Sequence, residues 1–434
     1  MRLKYLSQSG SMSSKTSTKA LAVREVGTSR IPLAGGVRAG DLVFVSGLLP
    51  DDLGDSGRPL SGEPAALTQA QAIWRKASAI LAEGDADVSR IVRCDQFFED
   101  WRAVPFFHQA RREACGNYIA PSTSILQPQT AVPGAIMMTD MIAVARSGPA
   151  IEPIFPKGLD LPSTSSFVPV VKSGDFVFVA GFLGASGVGD LDGVATEAKV
   201  PEGHLWKGNR IQLETKYVVQ KKLIPALEGA GLTLQDVVKA NVFLRDIEDT
   251  PAFNQVWSEA FGGHVPATAI TPTSKPGFAI EDSRIEINLV ATTSRHMQRV
   301  DGGRGALTVC QGQPVAVHAN DFLIFSGMTA ADPDGLIADA RIDPRDSYFS
   351  SSIEAQMHHL LDCAEEACVK VGASLSNVAR ILQVHTDLDD LLPALKVWQQ
   401  RLPGIPLPIS AARVPAPLIV PGCSVQLDLW IYAP

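Results

Sequence analysis

Three stretches of the sequence share one pattern: RAGDLVFVSG at 38–47, KSGDFVFVAG at 172–181 and HANDFLIFSG at 318–327. Each carries a Gly-Asp or Asn-Asp pair, and glycine and asparagine tolerate the positive φ angles of tight turns. The apolar residues that follow predict a strand buried on both faces. Because the copies are spaced by roughly 140 residues, a length typical of one domain, the sequence predicts three tandem units.

Further markers recur in the same order in every copy. A long helix with apolar residues three and four positions apart is followed by a strand that ends in aspartate. A shorter helix then leads to a proline two residues before a hydroxyl side chain, a Pro-Gly turn and a closing strand. Each unit therefore reads β-β-α-β-α-β-β, and the fold class is α+β. The predicted segments are a mobile N-terminal tail over 1–21 and units over 22–148, 160–294 and 306–434.

The composition limits the classes of partner. The 434 residues carry a net charge of −8, which argues against nucleic acid or an anionic membrane, because phosphate contacts need clustered Lys and Arg. The six cysteines form no C-x-x-C pair and are interpreted as buried thiols of a cytoplasmic protein. No apolar stretch is long enough to cross a bilayer. Phosphate-loop, zinc-protease and nucleophile-elbow motifs are missing from the sequence, so no metal or organic cofactor is implied.

Several motifs resemble the RidA/YjgF family of enamine/imine deaminases, and the second copy matches best. The matching residues are Val45-Ser46-Gly47, the strand Asp236 to Asp246, the helix Ala252 to Trp257, Pro266-Ala267, and Ile285-Glu286-Ile287. The resemblance implies three RidA/chorismate-mutase-like units. Family members are homotrimers with active clefts between subunits, so the resemblance also implies an intrachain pseudo-trimer.

The substrate-gripping arginine that the family carries after Pro-Ala is missing from all three copies. Thr123, Thr268 and Ser410 stand there instead and are predicted to contact the substrate. A hydroxyl donates one uncharged hydrogen bond, so it replaces a bidentate arginine poorly. Arg413 and Arg30 are therefore candidate cationic anchors, unless the substrate has no carboxylate at this place.

Two further family positions differ among the copies. The helix asparagine is Asn254, a candidate substrate contact, and His108 stands at its place in the first copy. The closing-strand glutamate is Glu286, matched to Asp140 in the first copy; the third copy carries Leu395 and Gln426. Glu286 and Asp140 are predicted to act as general base or to hold the attacking water, with His108 as a proton shuttle near neutral pH. Because only copies one and two keep an acid, the working cleft is predicted to use them.

The favoured function is hydrolysis of an enamine or imine of an unsaturated amino acid or dicarboxylate, with release of ammonia. Single-unit relatives include 2-aminomuconate deaminases, so a 2-aminomuconate-like substrate is the specific prediction, and the partner is a small anion. Ring-opening amidohydrolases of the cyanuric acid hydrolase and barbiturase type share a threefold plan, but no lysine recurs here as theirs does. Chorismate-processing enzymes, and a non-catalytic binding protein favoured by the missing arginines, stay open, as does further homo-oligomerisation.

Overall fold

The computed structural model describes residues 17–54, 64–159, 161, 166–186, 193–204, 206–302, 310, 312–343, 345 and 351–434. The first unit contains strands β1 (Lys19–Val26), β2 (Ile31–Ala39), β3 (Leu42–Leu48), β4 (Ile91–Phe98), β5 (Ser122–Leu126), β6 (Gln129–Thr130) and β7 (Met137–Val144). Its helices are α1 (Ala65–Glu83) and α2 (Val104–Cys115).

The second unit repeats this order of elements. Its strands are β8 (Ile151–Ile154), β9 (Val170–Ser173), β10 (Phe176–Leu183), β11 (Val237–Leu244), β12 (Ala267–Pro272) and β13 (Ile285–Thr292). Its helical elements are α3 (Arg210–Val218), a π-helical turn (Val219–Leu223), α4 (Ile224–Gly229) and α5 (Thr250–Ala260).

The third unit follows the same plan with two additional short hairpin strands. Its strands are β14 (Met297–Val300), β15 (Ala316–Ala319), β16 (Phe322–Phe325), β17 (Met328–Thr329), β18 (Ala331–Asp332), β19 (Gly335–Leu336), β20 (Val378–His385), β21 (Ile409–Arg413) and β22 (Val425–Tyr432). Its helices are α6 (Ser352–Lys370) and α7 (Leu391–Arg401).

The three sheets have equivalent strand orders: β1-β2-β3-β7-β4-β5, then β8-β9-β10-β13-β11-β12, then β14-β15-β16-β22-β20-β21. The predicted repeated α+β fold is therefore confirmed, with one more strand at the start of each sheet. Strand β1 begins at Lys19, inside the predicted tail over 1–21; residues 1–16 lie outside the described part of the chain.

The long helices cover one face of each sheet, and the opposite faces of the three sheets pack together. In the first unit the ring centroids of Trp74 in α1 and Phe107 in α2 are 5.7 Å apart, and both side chains belong to a core shared with the sheet. On the other face, Phe44, Phe178 and Trp430 join one cluster drawn from all three units. This shared apolar cluster places the units side by side and creates three inter-unit clefts.

The clefts follow a cyclic order. Strand β5 of the first unit lies beside β10 of the second, β12 of the second beside β16 of the third, and β21 of the third beside β3 of the first. We call these clefts 1/2, 2/3 and 3/1. No helix within the described residues is long and apolar enough to cross a membrane.

Buried charges join the units near the shared cluster. Lys239 of the second unit pairs with Asp428 of the third at 2.8 Å, and Arg380 of the third pairs with Asp140 of the first at 3.2 Å. Arg93 is the equivalent cation of the first unit, but it pairs with Asp95 of its own strand at 2.9 Å. Among the described residues, the 2/3 and 3/1 interfaces each contain such an ion pair between units, and the 1/2 interface contains none at the equivalent position.

Candidate active site between the first two units

Strand register shows which closing-strand residues are equivalent. In each unit the closing strand pairs with the strand after the long helix, and the register of this pairing shifts at the same place in all three units. Residues at the same distance from the shift are equivalent. They are Met138, Glu286 and Gln426 at one position, and Asp140, Asn288 and Asp428 at another. The predicted match of Asp140 to Glu286 is therefore wrong by two residues, because the first copy has an apolar side chain at the glutamate position.

The predicted hydroxyl positions also need correction. The parallel pairings make Ser122, Thr268 and Ile409 equivalent, and the next residues Thr123, Ala269 and Ser410 equivalent. Thr268 is thus displaced by one residue from Thr123 and Ser410. A shift of one residue in a strand turns a side chain to the other face, so these three hydroxyls do not form one set.

Cleft 3/1 is closed by polar contacts. Ser410 donates to Oδ1 of Asp140, Arg380 contacts Oδ2, and the Gly47 N–H donates to Oδ1 at 2.9 Å. Asp140 is only 3% exposed. Asp140 and Ser410 are therefore engaged in holding units three and one together.

Cleft 2/3 is filled by residues of the third unit that lie between β14 and β15. Gln313 donates to the Thr268 carbonyl at 3.0 Å, and the Cys310 thiol donates to Oδ1 of Asn254 at 2.8 Å. Thr268 itself donates its hydroxyl to the Pro266 carbonyl at 2.9 Å. Asn254 and Thr268 are therefore part of a packed interface.

Cleft 1/2 retains a cavity of about 240 Å³. The first unit contributes residues of α2 and β5. The second unit contributes residues of β10, the π-helical turn, the closing strand, and the β8–β9 and β12–β13 connections. The polar and charged lining residues are His108, Arg111, Ser122, Ser124, Ser166, Lys222 and Glu286, and apolar lining residues include Leu161, Phe167, Phe182 and Ile280. The cavity lies between the two units that the sequence predicted, although the match of acids that motivated the prediction fails.

Glu286 is the acidic residue of this cavity. It sits on β13 beside Leu183 of β10 and is 6% exposed. Burial, together with the nearby Asp95 carboxylate, raises the pKa of Glu286 to about 8, although the Ser124 backbone N–H donates to it. At neutral pH Glu286 is mainly a neutral carboxylic acid, so it can give a proton.

His108 lines the same cavity, but its protonation state differs from the prediction. Burial, with Arg111 and Arg112 nearby, lowers the pKa of His108 to about 3. Its imidazole is therefore neutral at physiological pH, and the predicted proton shuttle near neutral pH is not supported. A neutral imidazole can still donate one hydrogen bond and accept another.

Two buried cations that the sequence analysis did not predict line the cavity. Arg111 of α2 is 3% exposed and Lys222 of the π-helical turn is 2% exposed. The sequence does contain a signal for Arg111. It stands eleven residues after the aspartate that ends the preceding strand, and at this position the other two copies have tryptophan, Trp257 and Trp398. Single-turn π-helices often occur at functional sites, but an added residue within a helix leaves no clear mark in one sequence.

The remaining predicted residues lie elsewhere. Arg30 is exposed in the β1–β2 turn near Glu25, and Arg413 donates to the Thr386 carbonyl at the end of β21. Neither lines the cavity. Thr123 accepts a hydrogen bond from Asn288 across the interface between units one and two at 2.8 Å. It is not one of the residues that line the cavity.

A larger hollow of about 690 Å³ lies where the three Gly-Asp and Asn-Asp turns meet. Asp41, Asp175 and Asp321 line it and are exposed. Their charges would repel an anion, so the smaller cavity with its buried cations is the better candidate site. Within the described residues no group of three or more His, Cys, Asp or Glu side chains is placed to hold a metal ion.

Gly181 permits the Glu286 side chain to occupy its place. A Cβ atom on Gly181 would overlap Oε1 of Glu286 and lie 2.7 Å from Oγ1 of Thr123. We expect Gly181→Ala to displace the carboxyl group and to lower turnover about 100-fold, because misplacement by about 1 Å can cost that much. Thermal unfolding should change little, since the atom that the new Cβ would overlap ends the flexible Glu286 side chain. Wild-type turnover in this variant would contradict the assigned position of Glu286.

The fold defines a class of protein built from repeated α+β units with a cavity between the first two, and comparison with known proteins identifies the family. The family model described as Endoribonuclease L-PSP matches residues 28–145 and 159–293. The chain therefore belongs to this family, which is the RidA/YjgF family.

Individual relatives align with one unit. A RutC family protein of Pyrococcus abyssi is 35% identical over 122 residues, 28% of this chain and 81% of the relative. The 3-aminoacrylate deaminase RutC of Acinetobacter baylyi is 31% identical over 140 residues, 32% of this chain and 96% of that protein. The crystal structure of yeast Mmf1 is 21% identical with a TM-score of 0.27, covering 33% of this chain and all (100%) of Mmf1.

Proposed function

We propose that the chain is a deaminase that hydrolyses an enamine or imine of an unsaturated amino acid or dicarboxylate and releases ammonia. The observation that carries the proposal is Glu286, a buried carboxylic acid facing a cavity that also contains Arg111 and Lys222. Similarity to a protein named 3-aminoacrylate deaminase supports the reaction class. A 2-aminomuconate-like dicarboxylate is the proposed substrate, because two cations line the cavity.

The reaction can be written with Glu286 as the only proton carrier. Its acid form protonates the enamine carbon, which gives an iminium ion and leaves Glu286 as carboxylate. The carboxylate then takes a proton from water as the water oxygen attacks the iminium carbon. Glu286 next protonates the amino group of the resulting carbinolamine; the C–N bond breaks, ammonia leaves, and the hydroxyl proton returns to Glu286 as the carbonyl forms.

The cavity also supplies surroundings suited to this chemistry. Leu161, Phe167 and Ile280 add apolar side chains to its lining, and surroundings of low polarity strengthen the interaction of an anionic substrate with buried cations. The neutral imidazole of His108 is available to hydrogen bond the substrate or the attacking water.

The test is ammonia release from freshly generated 2-aminomuconate and, separately, 2-aminoacrylate, compared with the spontaneous rate. We expect acceleration on 2-aminomuconate to exceed that on 2-aminoacrylate, because only the larger substrate has two carboxylates. Acceleration on 2-aminoacrylate alone would contradict the proposed substrate, and acceleration on neither would contradict the proposed reaction. A binding protein would then be the better interpretation.

A further inference from the structure

Arg111 is a buried cation without a compensating charge among the described residues. Its Nη1 donates to Oγ of Ser122 at 3.2 Å, and its buried Nε atom has no hydrogen-bond partner. None of the ion pairs among the described residues includes it. Burying an unpaired charge is costly unless a partner of opposite charge is supplied.

Two thiols interact electrostatically with Arg111 and do not supply that charge. They belong to Cys94 and Cys115, and burial raises their pKa values to about 12 and about 11. Both thiols are therefore neutral in the physiological range. Arg112, the next residue, is a cation and adds repulsion.

The position of Arg111 is otherwise a packing position. In the second unit Trp257 occupies it and donates its indole N–H to Oγ1 of Thr268 at 3.4 Å, just as Arg111 donates to Ser122. In the third unit Trp398 stands there and is fully buried. An aromatic side chain thus fits this site in the fold, and the first unit has exchanged it for a cation beside the cavity.

We infer that Arg111 forms a carboxylate-binding subsite of cleft 1/2, with Lys222 of the second unit as a second cation, so that the preferred ligand is a dicarboxylate. The inference rests on the proposed function, because the dicarboxylate is taken to be the substrate. Arg111 approaches the cavity from helix α2, whereas strand β5 presents Ser122 and Ser124 there. The guanidinium group can offer two parallel N–H donors to one carboxylate.

The experiment measures binding without turnover, by calorimetry on the full chain. The ligands are trans,trans-muconate and sorbate, which share a six-carbon diene and differ in having two or one carboxylates. We expect muconate to bind at least about tenfold more tightly than sorbate. We expect Arg111→Trp, which introduces the residue found in the other two units, to weaken muconate binding by about 10- to 150-fold, as for a lost charged hydrogen bond.

Two further variants separate charge from packing. Arg111→Lys keeps the charge and should retain part of the affinity, and Arg112→Trp, at the exposed neighbouring position, should bind as wild type. Without ligand, Arg111→Trp should unfold at a temperature equal to or above that of wild type, because an uncompensated buried charge is removed. A purely structural arginine would instead give a lower unfolding temperature.

The outcomes distinguish this inference from the proposed reaction. Muconate binding that depends on Arg111, in a protein that releases no ammonia from either enamine, would support the subsite and refute the deaminase. Unchanged muconate affinity in Arg111→Trp would overturn the subsite even if deamination occurs. Absence of muconate binding to wild type, or equal affinity for sorbate, would overturn the dicarboxylate assignment.

Discussion

Glu286→Gln is expected to lower the rate of ammonia release by about 100- to 10,000-fold, the usual contribution of general acid–base catalysis. Glutamine has nearly the same shape, so it should fill the space beside Gly181 and Ser124. It cannot exchange a proton with the enamine carbon or with the attacking water. The change should therefore appear in kcat with little effect on muconate binding, and steady-state kinetics with calorimetry would check it.

The pH dependence of the wild-type rate provides an independent measurement of the same group. The pKa of Glu286 is raised from 4.5 to about 8, so the acid form predominates below pH 8 and is lost above it. Activity should fall as the pH rises through about 8, and this limb should be missing from the residual activity of Glu286→Gln. A matched control is Gln426→Met, at the equivalent position of the third unit, where the first unit has Met138. If Glu286→Gln turned over at the wild-type rate, Glu286 would not be the proton carrier.

Arg380→Met is expected to destabilise the protein by about 3–5 kcal/mol, as when one partner of a buried ion pair is removed. Arg380 contacts Asp140 of the first unit and Asp428 of its own unit, and all three side chains are almost fully buried. Among the described residues, methionine would leave the Asp140 carboxylate with Ser410 and the Gly47 N–H as its hydrogen-bond partners. Urea unfolding followed by tryptophan fluorescence should show a lower midpoint.

The control for this variant is Arg413→Met, because Arg413 is exposed and bonds only a carbonyl among its described contacts. Its effect should lie within about 0.5 kcal/mol. Adding Asp140→Asn to Arg380→Met should cost less than the sum of the single changes, since the carboxylate left without its cation is then removed. Equal midpoints for Arg380→Met and wild type would show that the pair does not join units three and one.

The fold could be predicted from sequence because its signals are local and occur three times. The turn at Asp41 and the apolar strand after it recur at Asp175 and Asp321, and an error in one copy is corrected by the others. The additional strand β1 was missed because KALAVREV has a largely exposed pattern at a sheet edge. Such a strand is held by pairing with β2, and side-chain burial leaves little trace in it.

The site was predicted less well because it depends on register between units. Matching Asp140 to Glu286 requires knowledge of where the closing strand pairs, and a displacement of two residues keeps the side chain on the same face. Burial also decided the role of His108, since its low pKa follows from its surroundings and not from its sequence. Arg111 was not predicted for a related reason: the family motif places its arginine at the start of strand β5, whereas this cation comes from helix α2.

The wall of the cavity that carries Arg111 and the wall that carries Glu286 belong to one polypeptide, so the cavity stays assembled when the protein concentration is low. Where such walls belong to separate chains, dilution shifts the equilibrium toward dissociated halves and sites are lost. Here the connection between the units fixes a high effective concentration of one wall near the other. The number of intact sites per molecule then stays constant however few copies of the protein are present.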